Sequence, residues 1–225
     1  MLNWTIWSAL LDGTWITVQI TVLAALLGTS LSIVSGLAGL SPVLPVRWVN
    51  RIYVDFFRGT SALVQLYWMF FVLPLLGVTI SAFMSAVIVL GLNMGSYGSE
   101  VVRGAVKAVP RGQTEASIAL NLTALDRMRY VIFPQAVVAM LPPYGNLLIE
   151  LLKGTALVSL ITLSDITFEA QKLRVNGSAS TLELLGLALV IYFVLAQAIA
   201  AAIRVSEGAL SRDLDVGRGG ARRST

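Results

Sequence analysis

Apolar and polar residues alternate along the chain so as to leave five long apolar stretches, at 15–39, 60–78, 81–97, 144–163 and 182–203. At a rise of about 1.5 Å per residue, runs of roughly 20 residues cross a hydrocarbon core about 30 Å thick. The third stretch is the shortest, and its apolar character extends toward Val101. The pattern predicts an all-α, polytopic transmembrane helical bundle with five spanning helices. Ahead of the first stretch, Trp4, Trp7 and Trp15 recur at helix-like spacing. Two readings stay open there: an amphipathic segment with its indole rings at headgroup depth, or an ordinary frayed terminus. The start carries no basic n-region and Asp12 precedes the long apolar run, so a cleaved signal peptide is not expected.

Composition agrees with a membrane protein. Of the 225 residues, 56% are hydrophobic and 12% charged, with a mean hydropathy of +0.81, against about 25% charged residues in soluble domains. Cys and His are both absent, which excludes a disulfide framework, the usual zinc sites, a thiol nucleophile and an imidazole base. No metal site is expected, and a membrane-embedded enzyme lacks a nucleophile–base pair or cofactor fingerprint.

Thirteen of the 16 basic residues fall in three segments on one side of the five crossings: Arg47 to Arg58, Arg103 to Arg129, and Arg204 to Arg223. Lys172 and Arg174 lie on the other side, and Lys153 falls within a span. The positive-inside rule therefore predicts the N-terminus outside and the C-terminus cytoplasmic. The net charge of +4 reflects this topology rather than a nucleic-acid partner, because the basic residues are not interleaved with aromatics on one face. Residues 1–205 read as one transmembrane domain. The Gly- and Arg-rich stretch 206–225 reads as a disordered cytoplasmic tail. No span repeats another at a fixed period, so symmetry must come from a second subunit.

The longest inside loop, 100–133, reads as two short helices. Pro110 suits the first turn of the second, where a missing N–H costs little, and Glu115 is placed near the positive end of its dipole. Asn121 can adopt the left-handed conformation that ends a helix. Ala116, Ile118, Ala119, Leu120 and Leu122 give it a small apolar surface suited to a groove on a partner.

Glu115-Ala116-Ser117, then Asn121, then a nine-residue gap before the segment ending at Pro134, resembles the EAA loop of bacterial ABC importer permeases (E-A-A, three residues, G, nine residues, I-x-L-P). Ser117 replaces the second Ala, Asn121 the Gly, and Val131 and Phe133 the Ile and Leu. The segment 53–71, YVDFFRGTSALVQLYWMFF, is similar to the Y-V-E-x-F-R-G-T-P-L-L-V-Q-L block of permeases for polar amino acids. Residues 141–160 resemble that family's fourth span, with Gly154 where a polar or acidic residue often stands. The resemblance implies a coupling helix that inserts into a cleft on an ABC ATPase subunit, with Pro110, Arg111, Gly112, Glu115, Ala116, Ser117 and Asn121 at the docking surface. It also implies an extracytoplasmic solute-binding protein, a second permease as homodimer or heterodimer partner, and residence in a bacterial plasma (inner) membrane. This chain has no Gly-Lys dipeptide and hence no P-loop. It is not expected to be an enzyme or to bind a cofactor; ATP and Mg would sit on the partner ATPase.

Within the spans, Glu150 and Lys153 are three residues apart and share a helix face. They are predicted either to line a solute path or to pair and fix helix packing. Thr155 and Ser159 follow as hydrogen-bonding groups. Asn93 and Tyr97 in the third span and Gln65 in the second are candidates to bond a solute or to bond across helices. Pro142 and Pro143 are expected to kink the start of the fourth span, as a hinge or a static bend. The predicted function is an importer permease for a polar amino acid, compatible solute or opine. The alternative is an ion-coupled secondary transporter using Glu150, which the elaborate inside loop and the missing repeat argue against.

The orientation is directly testable, since the chain has no native Cys. Single cysteines at Arg51, Arg111 and Arg204 should react with an impermeant thiol reagent only from the cytoplasmic side, and one at Lys172 only from outside. Labelling of position 111 from outside would reverse the topology.

Overall fold

In the computed structural model, the backbone is described for residues 4–219 and side chains to residue 208. All regular structure among the described residues is helical. α1, Trp4–Ala38, is one continuous helix of 35 residues, so the tryptophan-bearing start is neither a separate surface segment nor frayed. It simply extends the first apolar stretch, because no Pro interrupts it and Gly13 meets the backbone of Asp165 at a distance only a missing Cβ allows.

The second apolar stretch is preceded by a helix that the apolar pattern did not mark, and the two are sharply bent. α2, Leu44–Gly59, and α3, Ala62–Tyr67, meet at a 101° bend, and α3 runs on through a π turn, Trp68–Val72, and a 3-10 turn, Leu73–Leu76. Pro45 in its first turn starts α2. Four helical stretches are long and apolar enough to cross a membrane, and this bent pair makes a fifth if counted as one.

α4, Ala82–Ala108, is opened by the Ser81 side chain, which accepts from the Met84 amide. It continues well past Tyr97 and absorbs the first of the two short helices expected in the inside loop. The second is α5, Arg111–Ala119. α6, Ala124–Asp126, leads through a π turn, Arg127–Ile132, into α7, Phe133–Gly154, and a 3-10 turn, Thr155–Ile161. Pro142 and Pro143 sit inside α7 and do not end it. α8, Ile166–Val175, is an additional short helix, and α9 runs from Thr181 to Gly219. The stretch expected to be a tail from 206 thus begins as a continuation of α9, and 220–225 lies outside the described residues.

α1 and α4 form the central pair. Their contact is built from small residues, since backbones must approach closely where lipid supplies no hydrophobic drive between helices. A Cβ on Gly98 would lie 2.0 Å from Ser32 Oγ. Ser32 Oγ donates to the Gly28 carbonyl at 2.7 Å and accepts from Tyr144 OH at 3.1 Å, tying α7 to the pair. Ile20, Leu66, Leu90, Leu151 and Ile161 fill the middle of the bundle. Separate apolar clusters close the two ends, one around Leu10 and Ile166 and one around Val102 and Ala136. α9 leaves Leu189, Val190, Phe193 and Val194 exposed, a surface that requires lipid or protein neighbours.

α8 is anchored by Asp165, which is fully buried. Its carboxylate accepts from the Phe168 amide at 2.9 Å and from Tyr192 OH at 3.1 Å, while the Ile166 amide donates to Thr17 Oγ1. Burial pushes the Asp165 carboxyl above the usual carboxylate range, opposed by its hydrogen bonds to Phe168 and Thr167. With the folded pKa above the unfolded one, the stability from this group is present below the unfolded pKa and is lost as pH rises through the folded value. Asp165→Asn keeps the capping oxygen and removes the titration. The stability of the native chain relative to Asp165→Asn should therefore fall from acid toward neutral pH, read as melting temperature in detergent. Parallel profiles would show that Asp165 does not titrate abnormally.

Candidate solute route and docking helix

The bend between α2 and α3 frees backbone carbonyls that, in hydrocarbon, must find internal partners. Two side chains supply them. Gln65 Nε2 donates to Thr60 Oγ1 at 2.7 Å and to the carbonyls of Phe57 and Thr60 at 3.3 Å each. Asn93 Nδ2, from α4, donates to the Phe57 carbonyl at 3.1 Å. Tyr53 OH donates to the Leu92 carbonyl and fixes α2 against α4.

Beside this break lies a cavity of about 180 Å³ between α3, α4 and α7, lined by Ala62, Leu90, Asn93, Met94, Tyr97, Leu147, Glu150, Leu151, Gly154 and Leu157. Three of the predicted residues therefore converge, Asn93 and Tyr97 from α4 and Glu150 from α7. The volume is below the roughly 300–1,000 Å³ typical of sites for drug-sized ligands, so it suits a small solute. Glu150 is in none of the ion pairs formed among the described residues, which join Arg51 to Asp55, Arg103 to Glu100 and Lys172 to Glu169. Of the two alternatives for Glu150 and Lys153, the ion pair is not formed. Three-residue spacing brings two positions near one another but does not aim their side chains together: Glu150 lines the cavity and Lys153 does not.

The remaining predicted residues fall elsewhere. Gln65 is buried at the break and outside the cavity lining. Thr155 is fully buried and donates to the Leu152 carbonyl, and Ser159 donates to that of Ala156, the local back-bonding usual for helical hydroxyls. The apolar wall of the cavity, Leu90, Met94, Leu147 and Leu157, was not legible as such. Its residues read equally well as bundle core, and no local signal separates the two.

α5 projects from the end of α4. Pro110 precedes it as the cap residue, one place before the position anticipated. Glu115 is the fifth residue of the helix and not in its first turn, so the helix dipole, which fades within that turn, does little for it. Asn121 has φ 55°. The Leu122 amide bonds the Ser117 carbonyl and the Asn121 amide that of Ile118, the two bonds of a Schellman ending, with Asn doing what Gly commonly does. Arg111, Gly112, Glu115, Ala116, Ile118 and Leu120 are exposed, while Ser117 faces inward. The result is a capped knob carrying one carboxylate and an apolar patch, uncovered among the described residues.

Residues 28–206 match the family described as binding-protein-dependent transport system inner membrane component. The chain is 39% identical over 206 residues to a probable amino-acid ABC transporter permease, y4tF, of Sinorhizobium fredii, covering 89% of this chain and 86% of that protein. It is 35% identical to the L-cystine transport system permease TcyB of Bacillus subtilis, covering 92% and 88%. The crystal structure of an amino acid ABC transporter with histidines superimposes with a TM-score of 0.84 at 30% identity, over 93% of this chain and 99% of that one. A multi-pass helical bundle, matched over most of its length by amino-acid transport proteins, belongs to the binding-protein-dependent transport system inner membrane components, as an amino-acid ABC transporter permease.

Proposed function

We propose that this permease carries a small zwitterionic solute, an amino acid or a close relative, through the cavity shared by Asn93, Tyr97 and Glu150. The observation that carries the reading is the Glu150 carboxylate, which lines that cavity without an ion-pair partner among the described residues. A charge at such depth is expensive and faces a cavity when it has work to do. An ammonium group is its natural counter-charge, and Asn93 and Tyr97 add a donor–acceptor amide and a phenol on the opposite wall. The names of the relatives support amino acids as the solute class.

Driving force comes from the ATPase partner that the family implies. We assign α5 as its docking element and place that end of the bundle in the cytoplasm of a bacterium, with the chain in the inner membrane, its N-terminus outside and ATP with Mg on the ATPase. An extracytoplasmic binding protein delivers the solute, and a second permease, a copy or a sister chain, covers the apolar faces left by α9. An ion-coupled carrier has no use for a capped, uncovered helix such as α5, which decides between the two readings.

Three substitutions test these assignments in the assembled importer. Glu150→Gln should lower uptake at least tenfold with normal assembly, while Lys153→Met leaves both near the unaltered level; equal effects of the two would remove Glu150 from the route. Glu115→Lys replaces an attraction to a basic groove with like-charge repulsion costing on the order of several kcal/mol. Co-purification with the ATPase and uptake should both be lost while membrane insertion persists. Unchanged association would show that Glu115 only decorates its helix.

A further inference from the structure

A second cavity, of about 480 Å³, lies between α2 and the half of α4 nearer α5. Its charged lining is Arg47, Arg51 and Asp55 of α2 and Glu100 and Arg103 of α4. These residues continue two stripes. On α4, Asn93, Tyr97, Glu100 and Arg103 follow at three- and four-residue intervals; on α2, Arg47, Arg51, Asp55 and Arg58 do the same. Residues so spaced lie along one helix face, so a polar seam runs from the solute cavity to the charged vestibule. Arg51 holds Asp55 and Arg103 holds Glu100 within the vestibule.

A cation–π contact joins the two stripes. The Arg58 guanidinium lies over the Tyr97 ring, 5.3 Å from its centroid. Tyr97 lines the solute cavity, Glu100, one turn further along α4, lines the vestibule, and Arg58 directly precedes the break at Gly59. Arg58 is in no ion pair among the described residues.

We propose that Arg58 and Tyr97 form the gate between the solute cavity and the vestibule that leads to the cytoplasm. This rests on the reading of the smaller cavity as the solute site. A cation held on a ring face is an attraction of modest size, strong enough to keep a seam closed and weak enough to be broken in every cycle. The open state has partners ready: Asp55 is three residues from Arg58, and Glu100 three from Tyr97. Both are already occupied by guanidiniums, so Arg58 can join either pair without stranding a charge. The break beside Arg58 supplies the backbone freedom, so that a change in the angle between α2 and α3 moves the gate.

The test uses the complete importer in proteoliposomes with Ala62→Cys, a cavity-lining position, as the only cysteine of this chain. An impermeant charged methanethiosulfonate is applied from the α5 side without nucleotide. Arg58→Ala and Tyr97→Leu should raise the labelling rate roughly tenfold, equal to about 1.4 kcal/mol of gate closure and within the range of a cation–π contact. Arg58→Lys and Tyr97→Phe keep a cation and a ring face and should stay within about threefold of the parent. If Tyr97→Leu fails to assemble, Arg58→Gln against Arg58→Lys makes the same comparison. Unchanged labelling in Arg58→Ala, or equal labelling in Tyr97→Phe and Tyr97→Leu, overturns the gate. Slowing of the parent's labelling by L-cystine, L-glutamine or L-arginine tests the solute site separately: faster labelling in the gate variants with no protection by any of the three would keep the gate and reject the site.

Discussion

Hydrocarbon offers no partner to a free backbone carbonyl, and the break between α2 and α3 is where this fold meets that constraint. Gln65 and Asn93 bind the carbonyls of Phe57 and Thr60, so the chain can turn through 101° without leaving those groups unpaired. Everything the bundle does at mid-depth follows from that turn. It opens the space beside Ala62, brings Asn93 to its edge, and leaves Arg58 on the Tyr97 ring at the last turn of α2. Asn93 thus has two duties, one to the backbone and one to the cavity. Its replacement would disturb both.

Rigidity elsewhere makes the turn useful. α1 and α4 are locked by close backbone approach at Gly28, Gly95 and Gly98, with Ser32 linking them to Tyr144 of α7. α4 is therefore a fixed post that carries cavity residues in its middle and leads to α5 at its end. α5 follows α4 after only Val109 and Pro110, and leads to α7 through α6 and the π turn at Arg127–Ile132.

Much of this was legible in the sequence. Apolar stretches located α1, α4, α7 and α9, and a single Asn in a run of helix formers gave away the left-handed ending of α5. Two kinds of feature were not. α2 carries Arg47, Arg51, Asp55 and Arg58, and these charges read as an inside loop although Val46, Val49, Tyr53 and Val54 recur at helical spacing. Proximity in sequence left open whether Glu150 pairs with Lys153 or lines a cavity; it lines one whose other wall comes from a helix more than 50 positions earlier. Convergence of Asn93, Tyr97 and Glu150 depends on which faces of α4 and α7 meet, and one-dimensional patterns do not carry that information. The ending of α5 was readable because its chemistry is local, and which of the candidate polar residues share a cavity was not, because that is decided by tertiary packing.

The most direct test of the account is the density of bound solute in the assembled importer, determined by electron cryo-microscopy with a transported amino acid present. The account places the solute between α4 and α7, its ammonium group within hydrogen-bond distance of the Glu150 carboxylate and its body against Asn93 and Tyr97. A solute seated elsewhere in the bundle, with Glu150 turned to a neighbouring protein group, would contradict it.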